Sequence, residues 1–514
     1  MRRIWAYDGS LWSDDPTRAA AAAERLGWLR LPESMRGELD AVRDFAGRAR
    51  ADGVRDVVLC GMGGSSLAPE VLAAVFGAAP GCPRLHVLDT TDPREIRAVE
   101  RKLELRSTLF LIASKSGSTI ETDALCRHFT QRLEAAGLRP GAHLVAITDA
   151  GSELERLARD GDWRACFLNP ADVGGRYSAL SLFGLVPAAL LGIDVARLLE
   201  SGAREAAACS PGAADSVCAA LELGAAMGAL AQRGIDKLTL RASPTLASFG
   251  DWVEQLVAES TGKAGPDGPV GVLPVVGEDV TVAPGPDRFV VTLQLGDESL
   301  SADASDAVPS ARFRVSDGYG LGGLFFRFEF ATALAGALLG IDPFDQPDVA
   351  AAKAATSAVL SGGLPRAAAV HDADALRSAL ASAPEGGYVA LLSYLPRSPT
   401  ADAAVRSLAS AIGRTTGLAV TVGVGPRYLH STGQLHKGGP ASGVFVVLEG
   451  DDVAGTSCDL PIPGRPYSFG RLFRAQCEGD VQTLTTRGRT VVRLRATADA
   501  TRALGEWEAA LLGA

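Results

Sequence analysis

This sequence is poor in the features that large anionic partners, membranes or an oxidising compartment would require. Basic residues are in deficit, with 50 Lys and Arg against 60 Asp and Glu and a formal net charge of −10. A nucleic acid or an anionic membrane surface needs clustered cations, so neither partner is expected, and only a local pocket is left for a small anion. The eight cysteines (Cys60, Cys82, Cys126, Cys166, Cys209, Cys218, Cys458, Cys477) are scattered, with no CxxC pair and no neighbouring His ligand set. Free thiols and no metal site are therefore expected. The apolar stretch Ala179 to Ile193 is interrupted by Gly184 and Pro187 and falls short of the roughly 20 residues a bilayer span needs. It reads as a buried core helix. Met1 to Asp15 lacks the continuous apolar segment of a secretory signal, which points to a cytoplasmic chain. Short-period repeats and low-complexity tracts are also missing, apart from an alanine bias.

What is present is an α/β grammar repeated over 514 residues, more than one core usually organises. Val54 to Cys60 is a β-branched run, Gly61 to Ser66 a glycine-rich loop, and a helical Ala/Leu/Val pattern follows. Leu85 to Leu88, Thr108 to Ala113 and Leu144 to Thr148 repeat the strand signal between helical stretches, which predicts a parallel, doubly wound sheet in residues 1–193. A second unit, 194–362, has an Ala-rich helical span to Ala231, strands at Lys237 to Arg241, Val270 to Val276 and Phe289 to Leu293, and helices at Trp252 to Glu259 and Pro347 to Leu360. Gly362 to Pro365 marks a boundary. The smaller unit 363–514 has strands at Tyr388 to Tyr394, Thr415 to Val424, Phe445 to Leu448 and Val491 to Leu494, with a helix at Ala401 to Gly413.

Two loops of the first unit suit a phosphate. Ser114-Lys115-Ser116-Gly117-Ser118-Thr119 follows a strand and opens a helix, where free N–H groups and clustered hydroxyls meet an anion and Lys115 adds charge. A plain capping box of Ser118 with Glu121 would explain part of this pattern, but not Ser114, Ser116 or Lys115. Gly61 to Ser66 is weaker alone, because glycine turns after strands are common for steric reasons.

Gly61-Met62-Gly63-Gly64-Ser65, Ser114 to Thr122, Val173-Gly174-Gly175-Arg176-Tyr177-Ser178, Ala258-Glu259-Ser260-Thr261-Gly262-Lys263 and Phe344-Asp345-Gln346 with Lys353 seven residues on stand in that order. This set resembles the phosphoglucose isomerase family. Arg427 to Gln434 is most similar to the isomerase half of fused transaldolase and phosphoglucose isomerase proteins, although the residues before Gly61 are too few for a (β/α)₈ barrel. The resemblance implies two sugar-isomerase (SIS-type) doubly wound domains plus the C-terminal α/β block, acting on a hexose 6-phosphate without a cofactor. It implies that Gly64, Ser65, Ser114, Lys115, Ser116, Thr119 and Gln346 bind the substrate. Glu259 would be the base, Arg176 would sit over the reacting carbons, and Lys353 and His430 would lie near the ring oxygen. It also implies a homodimer, with the histidine supplied by the neighbour. The usual order of base, histidine, lysine is broken here, since His430 follows Lys353.

The chemistry asks for these residue types. Moving a carbonyl between C1 and C2 needs one carboxylate to shuttle a proton through an enediolate, and a guanidinium is suited to the charge that develops. Ring opening needs an acid that works near neutral pH, such as histidine. Glu254 competes with Glu259, and His436 and Lys437 compete with His430. A sugar-phosphate-binding regulator without catalysis, an isomerase also taking mannose 6-phosphate, and an aminosugar-phosphate enzyme remain as alternative readings.

Overall fold

The computed structural model describes residues 1–213, 218–280, 283–300, 307–362, 370–496 and 499–513, excepting the side chains of 349–353. Its first sheet contains β1 (Asp56–Gly61), β2 (Arg84–Leu88), β3 (Thr108–Ala113), β4 (Leu144–Asp149) and β5 (Ala165–Asn169), all parallel, in the order β2-β1-β3-β4-β5. Every residue of β1 and β3 is buried. A central parallel strand is covered on both faces, which is why the sequence signal there is a continuous apolar run. The edge strand β5 alternates in exposure and carries no such run.

The second unit holds β6 (Lys237–Ala242), a hairpin of β7 (Lys263–Gly265) and β8 (Gly268–Val270), then β9 (Leu273–Val276), β10 (Arg288–Leu295) and β11 (Ser310–Val315). Its main sheet runs β11-β10-β6-β9. The run expected at Val270 to Val276 is thus divided between the hairpin and β9. At Gly271 the backbone passes so close to Leu435 that an added Cβ would lie 2.9 Å from its side chain. The expected Ala-rich span divides into the helices Val195–Ala208 and Ala219–Ala231, the first capped by Asp194 and the second by Cys218. Both pack on a long buried helix, Leu321–Leu338. The close approach is possible because Gly224 and Gly228 face it: a Cβ there would meet Ala331 O at 2.5 Å and Leu338 at 2.7 Å. With mean hydropathy 1.3, the segment Gly318–Leu338 is long and apolar enough to cross a bilayer, but its apolar window is 78% buried in the protein. The Ala179 to Ile193 stretch forms the shorter helix Leu182–Leu190, buried at every residue.

The third sheet contains β12 (Tyr388–Tyr394), β13 (Ala419–Val424), β14 (Gly443–Glu449) and β15 (Thr490–Arg495), parallel, in the order β13-β12-β14-β15. Thr415 and Thr416, expected in a strand, end the preceding helix Pro399–Thr416. Their hydroxyls donate back to Ala411 O and Ile412 O, and Gly417 stops the helix with φ 70°. Part of the expected boundary, 363–369, lies outside the described residues.

Counted within its own unit, each main sheet has the order 2-1-3-4, so the chain winds to opposite sides of its first and third strands. The crevice above such a pair is where open α/β sheets bind ligands. The C-terminal block lies against both other units. Phe469 and Leu472 join the apolar cluster of Leu125 and Phe129, and Tyr388, Tyr428 and Leu435 join that of Ala258, Leu273 and Val275. Burying a side chain the size of Phe469 stabilises this docking by about 1.5–3 kcal/mol. Gln434 adds a buried anchor, donating to Gly262 O at 3.0 Å.

Candidate active site

The crevice between β1 and β3 opens into a cavity of about 680 Å³, walled by the second unit and by the His430 segment. Gly61 to Ser65 leaves β1 and enters the helix Leu67–Phe76, which begins without a side-chain cap. Gly64 has no room for a side chain, since its Cβ would lie 2.0 Å from Gly175 O. That contact seats the Gly174-Gly175-Arg176 turn directly on the loop. Ser114 to Thr119 leaves β3 and turns at Gly117, φ 72°. Ser114 Oγ accepts from Gly117 N at 3.1 Å and lies 3.2 Å from Thr119 Oγ1.

The capping box does not form. Thr119 is the N-cap residue of Ile120–Ala135, with no side-chain cap, so the first N–H groups of this helix are left for another acceptor. Glu121 turns away instead, accepting from His430 Nε2 at 2.8 Å and from Gln476 Nε2 at 2.6 Å. Lys115 lines the cavity with its ammonium paired to Asp149 and donating to Ala171 O at 3.0 Å.

Arg176 is 5% exposed and held on every side. Its Nε donates to Ser260 Oγ at 2.8 Å, Nη2 donates to Pro343 O at 2.5 Å and Asp345 O at 2.8 Å, and Nη1 reaches Glu259 Oε1 at 3.3 Å. Glu259 stands near the end of the helix Phe249–Thr261. Gln255, one turn earlier, donates to Glu259 Oε2 at 3.0 Å and to His430 O at 2.8 Å, tying the carboxylate to the histidine segment. The i, i+4 spacing from Glu259 was the sequence signal for Gln255. Lys263 closes the motif that begins at Ala258. It is buried behind Arg176, donating to Asp345 O at 2.7 Å, and burial together with the Arg176 charge pushes it down to about 8.

The competitors face elsewhere. Glu254 lines a separate cavity of about 220 Å³ and accepts from Ser431 Oγ at 3.3 Å; burial and the nearby Asp251 raise its carboxyl to about 8. His436 is packed among Tyr388, Tyr428 and Phe445, and burial pushes its ring far below the ordinary histidine range. Lys437 pairs with Asp480 at 2.5 Å in the core of the block. Gly64, Ser65, Ser114, Lys115, Ser116, Thr119, Arg176, Glu259, Gln346 and His430 all line the one cavity. Lys353 lies on the helix Pro347–Gly362, with its side chain outside the described residues. His430 reaches the cavity of its own chain.

The sequence model of the family described as Phosphoglucose isomerase matches residues 32–264. A probable glucose-6-phosphate isomerase of Natronomonas pharaonis is 31% identical over 388 residues, covering 68% of this chain and 88% of the relative. The glucose-6-phosphate isomerase of Rubrobacter xylanophilus is 31% identical over 409 residues, covering 69% and 91%. The chain belongs to the phosphoglucose isomerase family. Among solved structures, a hypothetical protein of Thermus thermophilus superposes with TM-score 0.61 at 27% identity, covering 70% of this chain and 95% of that one. A glucose-6-phosphate isomerase of Chlamydia trachomatis shares the fold, with TM-score 0.55 at 21% identity over 70% of this chain and 79% of its own. The family match ends at residue 264, so His430 and the third sheet lie beyond it.

Proposed function

We propose that Glu259, Arg176 and His430 carry out the aldose–ketose isomerisation of glucose 6-phosphate and fructose 6-phosphate in this cavity. The observation that carries this reading is the Arg176 to Glu259 contact of 3.3 Å, which lies in one cavity with the uncapped helix start at Thr119. The phosphate sits on Ser114, Ser116 and Thr119 with the N–H groups of that helix, and Ser65 and Gln346 contact the sugar. Lys115, neutralised by Asp149, positions the loop more than it supplies free charge.

With the phosphate held at one end, the reacting carbons lie toward Glu259. His430, whose Nε2–H is held by the Glu121 carboxylate, protonates the ring oxygen through its other ring nitrogen, Nδ1, and the ring C–O bond breaks as the anomeric hydroxyl passes its proton to water. Glu259 removes the C2 proton, the electrons move onto the carbonyl oxygen, and Arg176 stabilises the resulting cis-enediolate. The same carboxylate returns the proton to C1 as the C2 hydroxyl proton passes to the C1 oxygen, which leaves the carbonyl at C2. Arg176 is fixed by backbone carbonyls and Ser260 before substrate arrives, so little reorganisation accompanies the charge development. The parallel sheet found in each unit supports the division at 1–193, 194–362 and 363–514.

The test is a coupled assay of fructose 6-phosphate conversion with wild type and Glu259→Gln. A loss of roughly 10²–10⁴ in kcat is expected, the scale of a lost general base. Folded wild type without turnover, or a variant with undiminished rate, would overturn the reading.

A further inference from the structure

The pair that opens the sugar ring stands on a third residue from the C-terminal block. Gln476, on the helix Phe469–Thr486, is 2% exposed and reaches across to the first unit. Its Nε2 donates to Glu121 Oε1 at 2.6 Å, the same oxygen that meets His430 Nε2 at 2.8 Å. A carboxylate can only accept, so the amide must turn its NH₂ toward Glu121 and its oxygen the other way. That oxygen accepts from Thr91 Oγ1 at 2.6 Å, on the loop after β2, and Thr91 is 0% exposed. The order is thus Thr91 hydroxyl, Gln476 amide, Glu121 carboxylate, His430 imidazole. Glu121, Gln476 and His430 also line a second cavity of about 370 Å³, so His430 stands between two cavities, only one of which holds Glu259.

A buried carboxylate with two donors on one oxygen has its position fixed by both. We infer that Gln476 is a positioning residue for ring opening, acting through Glu121, with Thr91 setting the direction of its amide. The inference rests on the isomerase reading above and deepens it. The third unit supplies both the acid and the amide that aims the acid's partner. Loss of the amide leaves Glu121 able to swing and His430 off the ring oxygen, while the phosphate loop, Arg176 and Glu259 are untouched.

The experiment is a double-mutant cycle on glucose 6-phosphate turnover with Gln476→Leu, Glu121→Gln and the pair. Gln476→Leu is expected to lower kcat ten- to hundredfold with KM changed less than twofold, and to cause no further loss once Glu121 is replaced. Binding of a sugar-acid 6-phosphate, an open-chain anion, is expected within twofold of wild type. Thr91→Val, nearly isosteric, provides a milder second variant, with kcat down three- to tenfold, and serves if Gln476→Leu does not fold. Undiminished kcat in either folded variant, losses that multiply in the pair, or a rise in KM instead of a fall in kcat would overturn the inference. An active wild type with additive losses overturns this inference alone, whereas an inactive wild type or an active Glu259→Gln overturns the isomerase reading and this inference with it.

Discussion

In the first sheet the crevice over β1 and β3 ends in two loops whose helices start without side-chain caps. In the third sheet the equivalent strands β12 and β14 meet the same crossover geometry with the opposite chemistry. Ser398 accepts from Ala401 N at the start of Pro399–Thr416, and Ser468 accepts from Arg471 N at the start of Phe469–Thr486. The small cavity there, about 250 Å³, is lined by Glu449, Asp451 and Asp452 beside Arg474. One strand order therefore offers an anion a place only where the helix N–H groups are left unpaired. In the proposed reaction the third unit contributes from its edge instead, through the loop after β13 that carries His430.

This contrast can be broken experimentally. Replacing Ser114, Ser116 and Thr119 together by Ala, Ala and Val is expected to raise KM about a hundredfold, or ~2.7 kcal/mol, as hydrogen bonds to a charged group are lost. Steady-state kinetics on fructose 6-phosphate check it. The next effect belongs to the core of the third unit. His436 stays neutral in the folded protein, whereas an unfolded histidine takes up a proton below about pH 6.5. Stability present at neutral pH is therefore lost as pH falls below that value, by up to about 1.4 kcal/mol per unit. Urea melts from pH 7 to pH 5 are expected to show that slope flattened in His436→Phe. Smaller still, Ser398→Ala and Ser468→Ala each cost about 1 kcal/mol of stability and leave turnover unchanged, which thermal melts and the coupled assay read together. The smallest change expected is none. Mixing Glu259→Gln chains with His430→Ala chains restores no activity, because both side chains line the cavity of a single chain. Recovery on mixing would show that the histidine crosses between subunits.

Much of the fold was legible because buried parallel strands announce themselves as unbroken apolar runs, as β3 does from Thr108 to Ala113. Ser310–Val315 was not, since this edge strand alternates outward-facing Arg312 and Arg314 with half-buried residues and reads as polar chain. The site divides in the same way. Ser114 to Thr119, Arg176 and Glu259 sit in motifs that the family resemblance marks, and the fold brings them to one cavity. Glu121 was not singled out, for a physical reason: three residues after Ser118 it also satisfies a local capping pattern, and the partner it takes instead lies 309 residues away. Gln476 carries no local signal, because its meaning comes from packing a helix of one unit against a loop of another. His430 and His436 were indistinguishable by spacing, and only burial separates them.

The bare contact between Gly64 and Gly175 has a consequence for which sugars are accepted. It joins the Gly61 to Ser65 loop, whose Ser65 is proposed to contact the sugar, to the turn that carries the guanidinium, through main-chain atoms alone. The spacing of these two segments is therefore set by the backbone, and no side-chain rotation can lengthen it. A sugar that is to meet Ser65 and Arg176 together must match that spacing.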